Sequence, residues 1–416
     1  MHTQEDAISL VNRGGNVFIS GAGGVGKSYC IDKITTKDTV LSSSSGLSAL
    51  HIGGETTHSL FGLPRGLYTE KDENTISSTF RAIFSGTKVK RIIMDEISRT
   101  RADNLDLIDI KLRKVRENDL PFGGIQVVLV GDLFQLAPIV DASEKKIYRR
   151  LYRSPWMFHS NVWDSANFTT VCLTKVYRQS NTEQIKVLST IREKGEGIEA
   201  AIESINTWCV SKELDNRFYL CSRNMDSDKI NNKFYKLNTN PEVKYPSYQV
   251  GTKDKETLIK NQDLSLKENM RAIICTNDPE GEYRNGERGY ILSLHPKHVT
   301  IKKDDGTIVD VGYKKESTYK YKMTIKGLVR STGSVTKTIP VKAGYAISID
   351  KAQGMSLDNI YIDLGDKPRL SAGLCYTALS RVRNLKNSEL SRELTVKDII
   401  IDEEVKKFYD NLPQGV

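Results

Sequence analysis

Residues 21–28 read Gly21-Ala22-Gly23-Gly24-Val25-Gly26-Lys27-Ser28, which is the G-x-x-x-x-G-K-[ST] spacing of a phosphate-binding loop. The run NVFIS at 16–20 precedes it and reads as a buried strand, and residues 28–34 read as the start of a helix. Strand, loop and helix in that order is the context such a loop needs. Backbone N–H groups at Gly21, Gly23, Gly24, Val25 and Gly26 can curl around an anion, and the helix N-terminus adds its positive end. Lys27 can then reach the β- and γ-phosphates of a nucleotide, and Ser28 can hold Mg²⁺.

Outward from the loop, residues 1–175 alternate short apolar runs with helical patterns, which predicts a parallel α/β domain. Strands are expected at 16–20, 39–42, 91–94 and 125–130, and a helix over 105–117. RIIMDEIS at 91–98 is an apolar strand ending in two acids. Asp95 is placed to hold Mg²⁺ opposite Ser28, and Glu96 to orient or deprotonate an attacking water. In GDLFQLAP at 131–138, Gln135 lies just past another strand end, where its amide can sense the γ-phosphate; it is otherwise a plain loop residue. Gln4, upstream of the first strand, either reads an adenine edge or decorates the first helix. Ser43, Thr57 and His58 lie in TVLSSSSGLSAL and HIGGETTHSLF, where hydroxyls and free N–H groups suit phosphate contacts and equally suit caps and turns. Residues 63–88 are polar, with little periodicity, and read as a small excursion from the sheet.

LTKVYRQ at 173–179 opens a second α/β domain, with helices expected at 182–193 and 197–208 and a strand at 218–222. Residues 236–263 are polar and loop-like and mark a domain edge. From 264 to 340 the signal is β, with Tyr319, Tyr321, Met323 and Ile325 alternating against Lys320, Lys322, Thr324 and Lys326. This predicts a small inserted barrel whose basic face is either a guide for a strand or a solvated surface. The α/β pattern resumes at 343–348, with a strand at 360–363, a helix around 376–383, a short strand at 399–402 and a helix at 404–411. The expected division is 1–175, then 176–263 with 341–416, and 264–340 as the insertion.

The 416-residue chain carries a net charge of +9, consistent with a polyanionic partner. Between positions 295 and 342, eleven Lys or Arg stand against four Asp or Glu, a local +7. Six scattered cysteines form no C-x-x-C pair, which argues against a zinc site or a disulfide framework. No apolar run approaches the ~20 residues of a membrane span. The first ten residues, MHTQEDAISL, do not read as a secretion signal, so a cytoplasmic setting is expected.

Taken in order, GAGGVGKS, SSSSGLSALHIGGETTHSLFGL, MDEIS, PFGGIQVVLVGDLFQLAPI, LTKVYRQ, ISIDKAQGMSLD and YTALSRVRN resemble the successive motifs of the petite-integration-frequency (Pif) family of superfamily-one DNA helicases, with RecD and Dda as more distant relatives. The segment LDLIDIKLRKVRENDLPFGGIQ is similar to a stretch typical of Pif-type members. The loop departs from the family's usual Ala-Gly-Thr-Gly-Lys, but keeps its length and glycines.

The resemblance implies two RecA-like parallel-sheet domains with an SH3-like barrel inserted in the second, ATP and Mg²⁺ as cofactors, and 5′-to-3′ movement on single-stranded DNA. Forked or tailed duplex would be the substrate, a monomer the working form, and the identity of any replication-protein partner stays open. It further implies that Gln4 contacts adenine, and that Gly354 lies in the nucleotide site. Arg178 and Arg381 would reach the γ-phosphate, and Ser43, Thr57, His58, Ser348 and Lys351 would lie near DNA. The excursion at 63–88 would lie where relatives carry a duplex-splitting wedge. The chain would be a helicase core with little appended. A motor acting on RNA or protein-bound DNA, and a DNA-binding protein using nucleotide as a switch, are the other classes open. Glu96, Gln135, Arg178 and Arg381 together argue against the switch, because a switch needs no full hydrolytic set.

Overall fold

The computed structural model describes residues 3–64, 66–175, 182–209, 218–251, 256–276, 278, 280–283, 285–324, 327–353, 355, 357–365 and 370–412; for residues 47, 316–324 and 327–334 only the backbone is described. Two compact units emerge. One contains residues up to 185, the stretch 319–332 and the stretch from 401 onward; the other contains 186–318 and 333–400.

The first unit is built on six parallel strands: β1 (Val17–Gly21), β2 (Thr39–Ser43), β3 (Glu55–Thr56), β4 (Arg91–Asp95), β5 (Gln126–Gly131) and β6 (Thr169–Leu173). Their spatial order is β3-β2-β4-β5-β1-β6. β1 lies between β5 and β6 and is buried along its whole length, which is why its sequence reads as an unbroken apolar run rather than an alternating one. Around the sheet lie α1 (Gln4–Asn12), α2 (Lys27–Ile34), α3 (Gly46–His51), α4 (Thr57–Phe61), α5 (Glu70–Asn74), α6 (Ser78–Phe84), α7 (Ala102–Arg116), α8 (Lys145–Leu151) and α9 (Asn161–Ala166). Ala7 and Val11 of α1 and Cys30, Ile31 and Ile34 of α2 pack with Val17 and Ile19 of β1 in one core.

The stretch 63–88, expected to be an irregular polar excursion, contains α5 and α6. Phe80 and Phe84 of α6 close a triangle with Phe61 of α4, with ring centroids 4.8–6.1 Å apart. Polar flanks hid the short apolar face of a seven-residue helix.

The second unit carries α10 (Thr182–Glu193, which begins just before it), α11 (Ile198–Trp208), α12 (Asn224–Leu237) and α13 (Leu374–Ser380). Its parallel sheet has the order β19-β7-β20-β21, from β7 (Phe218–Cys221), β19 (Ala346–Ser348), β20 (Ile360–Asp363) and β21 (Glu389–Leu390). Between β7 and β19 runs an antiparallel insertion. It comprises β8 (Glu242–Tyr245), β9 (Tyr248–Val250), β10 (Glu256–Leu258), β11 (Leu264–Lys267), β12 (Arg271–Ile274), β13 (Arg288–Leu294), β14 (His298–Lys303), β15 (Ile308–Gly312), β16 (Lys314–Thr324), β17 (Gly327–Thr338) and β18 (Val341–Ala343). Tyr245, Leu266, Ile274, Ile291, Val299 and Val311 lie in its shared apolar core.

Three sequence expectations change here. The β insertion starts at Glu242, because the polar stretch 236–263 pairs as β8 with β11 and β9 with β10 instead of forming a loop. No strand forms at 399–402; β21 takes the sheet edge earlier in the chain. The helix expected at 404–411 is α14 (Glu403–Asp410), and it packs in the first unit rather than the second. Its Phe408 ring stacks on Phe158 at 4.5 Å and lies edge-on to Trp163, and Glu404 pairs with Arg153 at 2.8 Å. The basic row at 319–326 lies among residues whose side chains are outside the described ones, so no face is assigned to it.

Candidate nucleotide site

The parallel register brings the functional candidates to one edge of the first sheet. β1 ends at Gly21, β2 at Ser43 beside Asp95 of β4, and β5 at Gly131 beside Ser20. In an open parallel sheet this carboxyl edge is where ligands bind.

The loop of 21–28 turns into α2 through Gly26, whose φ of +86° favours glycine. A Cβ at Gly26 would also fall 1.7 Å from the side-chain nitrogen of Gln4. Gln4 is buried at the start of α1 and donates from Nε2 to the Val25 carbonyl at 3.0 Å. The expected adenine reader is therefore fastened to the phosphate loop. The Lys27 ammonium donates to the carbonyls of Gly21 at 2.7 Å and Ala22 at 2.9 Å, so it sits within its own loop. Ser28 stands exposed in the first turn of α2.

Glu96 follows Asp95 in a left-handed conformation, φ 51° and ψ 44°, that turns the chain sharply off the end of β4. Such a conformation is strained for a residue with a side chain and is concentrated at functional sites. Burial pushes the Asp95 carboxyl up to about 7, with the Glu96 charge adding to the rise and the Lys27 charge opposing it. Gly131 admits this turn: a Cβ there would lie 2.9 Å from the Ile97 side chain. Just beyond, the Gln135 backbone N–H donates to the Asp132 carbonyl at 3.1 Å and the Phe134 N–H to the Asp132 carboxylate at 3.3 Å. Gln135 is buried, and its Oε1 has no hydrogen-bond partner among the described residues.

Ser43 was expected near DNA. It is instead fully buried with the nucleotide-site group, its hydroxyl donating to the Asp95 carbonyl at 3.4 Å. Thr57 and His58 share α4: His58 is exposed, and Thr57 is buried with a hydroxyl that has no partner among the described residues. What seats this helix carries no mark in the sequence. The Lys111 ammonium, from α7, donates to the carbonyls of Phe61 and Gly62 at its C-terminal end.

In the second unit Ser348 is buried and donates to Asn224 at 2.7 Å, while its oxygen accepts the backbone N–H of Lys351; Lys351 itself is exposed. Arg381 is 6% exposed, with Nη2 donating to Ser380 and Nε lacking a partner among the described residues. Arg178 and Gly354 lie outside the described residues.

The site fits Mg²⁺ with a nucleotide. A cradle of backbone donors, one hydroxyl and one half-buried carboxylate leaves most of the coordination to phosphate and water, as that ion prefers. Among the described residues no group of three or more His, Cys, Asp or Glu is gathered as a metal cage.

The profile of the family described as PIF1-like helicase matches residues 2–199. The chain is 30% identical to the ATP-dependent DNA helicase Pif1 of Bdellovibrio bacteriovorus, across 98% of this chain and 90% of that one. It is 28% identical to the ATP-dependent DNA helicase PIF1 of Danio rerio, across 98% of this chain but only 63% of that longer protein. Among solved structures it is similar to Bacteroides sp Pif1 in complex with ADP-AlF4, with a TM-score of 0.85 and 29% identity, covering 99% of this chain and 96% of that one. A Bacteroides Pif1 structure with ADP-AlF3 and ssDNA gives a TM-score of 0.70 at 30% identity, covering 98% and 96%. No helix among the described residues is long and apolar enough to cross a membrane.

Proposed function

We propose, from the premise that the chain belongs to the PIF1-like helicase family of ATP-dependent DNA helicases, that this enzyme turns ATP hydrolysis at the carboxyl edge of its first sheet into 5′-to-3′ movement on single-stranded DNA and unwinding of tailed duplex. The observation that carries this reading is the convergence of the Lys27 loop, the Asp95–Glu96 turn and the buried Gln135 on adjacent strand ends. Solved relatives have been seen with ssDNA and, as two coordinating Pif1 helicases, on forked dsDNA, so either a monomer or a pair is the working unit to be tested.

In this reading Lys27 leaves the Gly21 and Ala22 carbonyls for the β- and γ-phosphates, and the loop's N–H groups and the start of α2 hold the phosphate chain. Ser28 and Asp95 would hold Mg²⁺, which neutralises phosphate charge when bound. Asp95 gives up its proton as it takes that role. Glu96 orients and deprotonates the attacking water, and the unpartnered Gln135 Oε1 is free to accept a hydrogen bond from it. Arg178 and Arg381 are assigned by motif to the transferring phosphoryl group, a role typically worth 10³–10⁵ in rate. Thr57, His58 and Lys351 are assigned to DNA.

The test uses two partial duplexes, one with a 5′ single-stranded tail and one with a 3′ tail, each with ATP and Mg²⁺. Unwinding of only the 5′-tailed substrate supports the reading. Unwinding of only the 3′-tailed one overturns the polarity. DNA-stimulated ATP hydrolysis without unwinding of either would favour a translocase or remodeller.

A further inference from the structure

The helix α14 does more than cover the first sheet. Its Tyr409 touches both strand ends from which the nucleotide-facing loops leave. The Tyr409 hydroxyl shares a 2.5 Å hydrogen bond with Ser20, the residue before Gly21. Its ring lies flat on Phe134, with centroids 4.9 Å apart and planes 11° apart; Phe134 is the residue before Gln135. Ser20 and Gly131 are register partners on β1 and β5, so a single side chain spans the mouths of two adjacent strands. Phe408, its neighbour, faces Phe158 and Trp163 and also meets Phe18 of β1 and the Tyr409 ring, while Glu404 pairs with Arg153.

We propose that Tyr409 is a positioning residue for ATP hydrolysis. It clamps the turn bearing Gln135 to the root of the phosphate loop, so that the Gln135 amide keeps a fixed distance from the phosphates that Lys27 gathers. Fixing two loops on one rigid group is how a site holds reacting atoms within the fraction of an ångström that hydrolysis requires. The aromatic stack sets the height of the Gln135 turn, and the hydroxyl sets its lateral register against β1. This inference rests on the reading of the loop edge as the ATP site.

The test is steady-state ATP hydrolysis of the full chain with saturating single-stranded DNA, with fluorescent-ADP binding and thermal melting alongside. Tyr409→Leu removes stack and hydroxyl; kcat should fall about tenfold while KM for ATP and ADP affinity stay within about twofold, since positioning rather than binding is lost. Tyr409→Phe keeps the stack and should recover most of kcat. Glu404→Gln is the structural control: it removes the ion pair that fastens the same helix to Arg153 and should leave kcat per folded molecule unchanged. The proposal is overturned if Tyr409→Leu keeps full kcat, or if its loss matches only its unfolded fraction. If the wild type shows no DNA-stimulated hydrolysis, the reading of the site fails first. A hydrolysing wild type beside an indifferent Tyr409→Leu sinks the clamp alone.

Discussion

The ammonium of Lys27 donates to the carbonyl of Gly21 across 2.7 Å, so its charge is held inside its own loop. A second bond goes to the carbonyl of Ala22. Nucleotide binding exchanges two neutral acceptors for charged phosphate oxygens, and charge-assisted bonds are roughly twice as strong as neutral ones. Lys27→Ala should therefore cost hydrolysis about a hundredfold or more. It should cost little stability, because Lys27 is only half-buried and its bonds here are internal to one loop. ATPase assays beside thermal melting check both halves.

Asp95 makes stability depend on pH in a stated direction. Its folded carboxyl is raised from an ordinary 3.8 to about 7, first by burial and then by the Glu96 charge. The folded protein thus holds a proton that the unfolded chain releases, and stability falls as pH rises between those two values. Asp95→Asn should flatten this slope and raise the melting temperature at pH 8, while abolishing hydrolysis. Mg²⁺ binding with nucleotide should release a proton below pH 7, which calorimetry in buffers of different ionisation heat detects.

The candidate nucleotide edge can be picked out of the sequence because its residues are consecutive and the proposed chemistry dictates their spacing. Gly26, Lys27, Asp95 and Glu96 are identified by neighbours in sequence. The residues that hold them are not. Gln4 was singled out for adenine, but its bond to Val25 crosses 21 positions and no periodicity announces it. Ser43 was read as a phosphate contact from its hydroxyl, yet parallel register with Asp95 turns it inward. Tyr409 lies 389 positions from Ser20, and an amphipathic helix near the end of the chain carries no mark of the sheet it covers. The strands of 236–263 were missed because β8 and the edge strand β10 expose most of their residues, so their sequence is as polar as a loop.

Asp304 is the one carboxylate shared by two buried arginines of the insertion. Arg271 pairs with it through both terminal nitrogens, and Arg288 approaches it at 3.5 Å. Arg288 also donates to the carbonyls of Asp358 and Asn359, and burial lowers its guanidinium to about 10. Asp304 is itself exposed, but its removal leaves two buried guanidinium charges without their shared partner. Asp304→Asn should therefore destabilise the protein by about 1–3 kcal/mol, whereas Asp305→Asn, which faces neither arginine in an ion pair, should cost under about 0.5 kcal/mol. Urea titrations of the two variants separate them.

Lys111 supplies the clearest case of a residue acting through another. It is 2% exposed, on the α7 segment that resembles the Pif-type signature, and its ammonium donates to Phe61 at 3.1 Å and Gly62 at 2.9 Å. Those carbonyls end α4, where a cation is favoured by the helix dipole and by the unpaired last carbonyls. Burial pulls its pKa below the usual lysine value, opposed by the Asp72 charge. Lys111→Met keeps much of the volume and removes the donor, leaving two carbonyls short of a partner at about 1–3 kcal/mol in all. Thr57 and His58 ride on α4, so the variant should weaken binding to a fluorescent single-stranded oligonucleotide several-fold. ADP affinity should stay unchanged, because the bonds Lys111 makes go to the end of α4 and not to the phosphate loop. Equal loss of both affinities would show that Lys111 supports the whole unit rather than seating this helix.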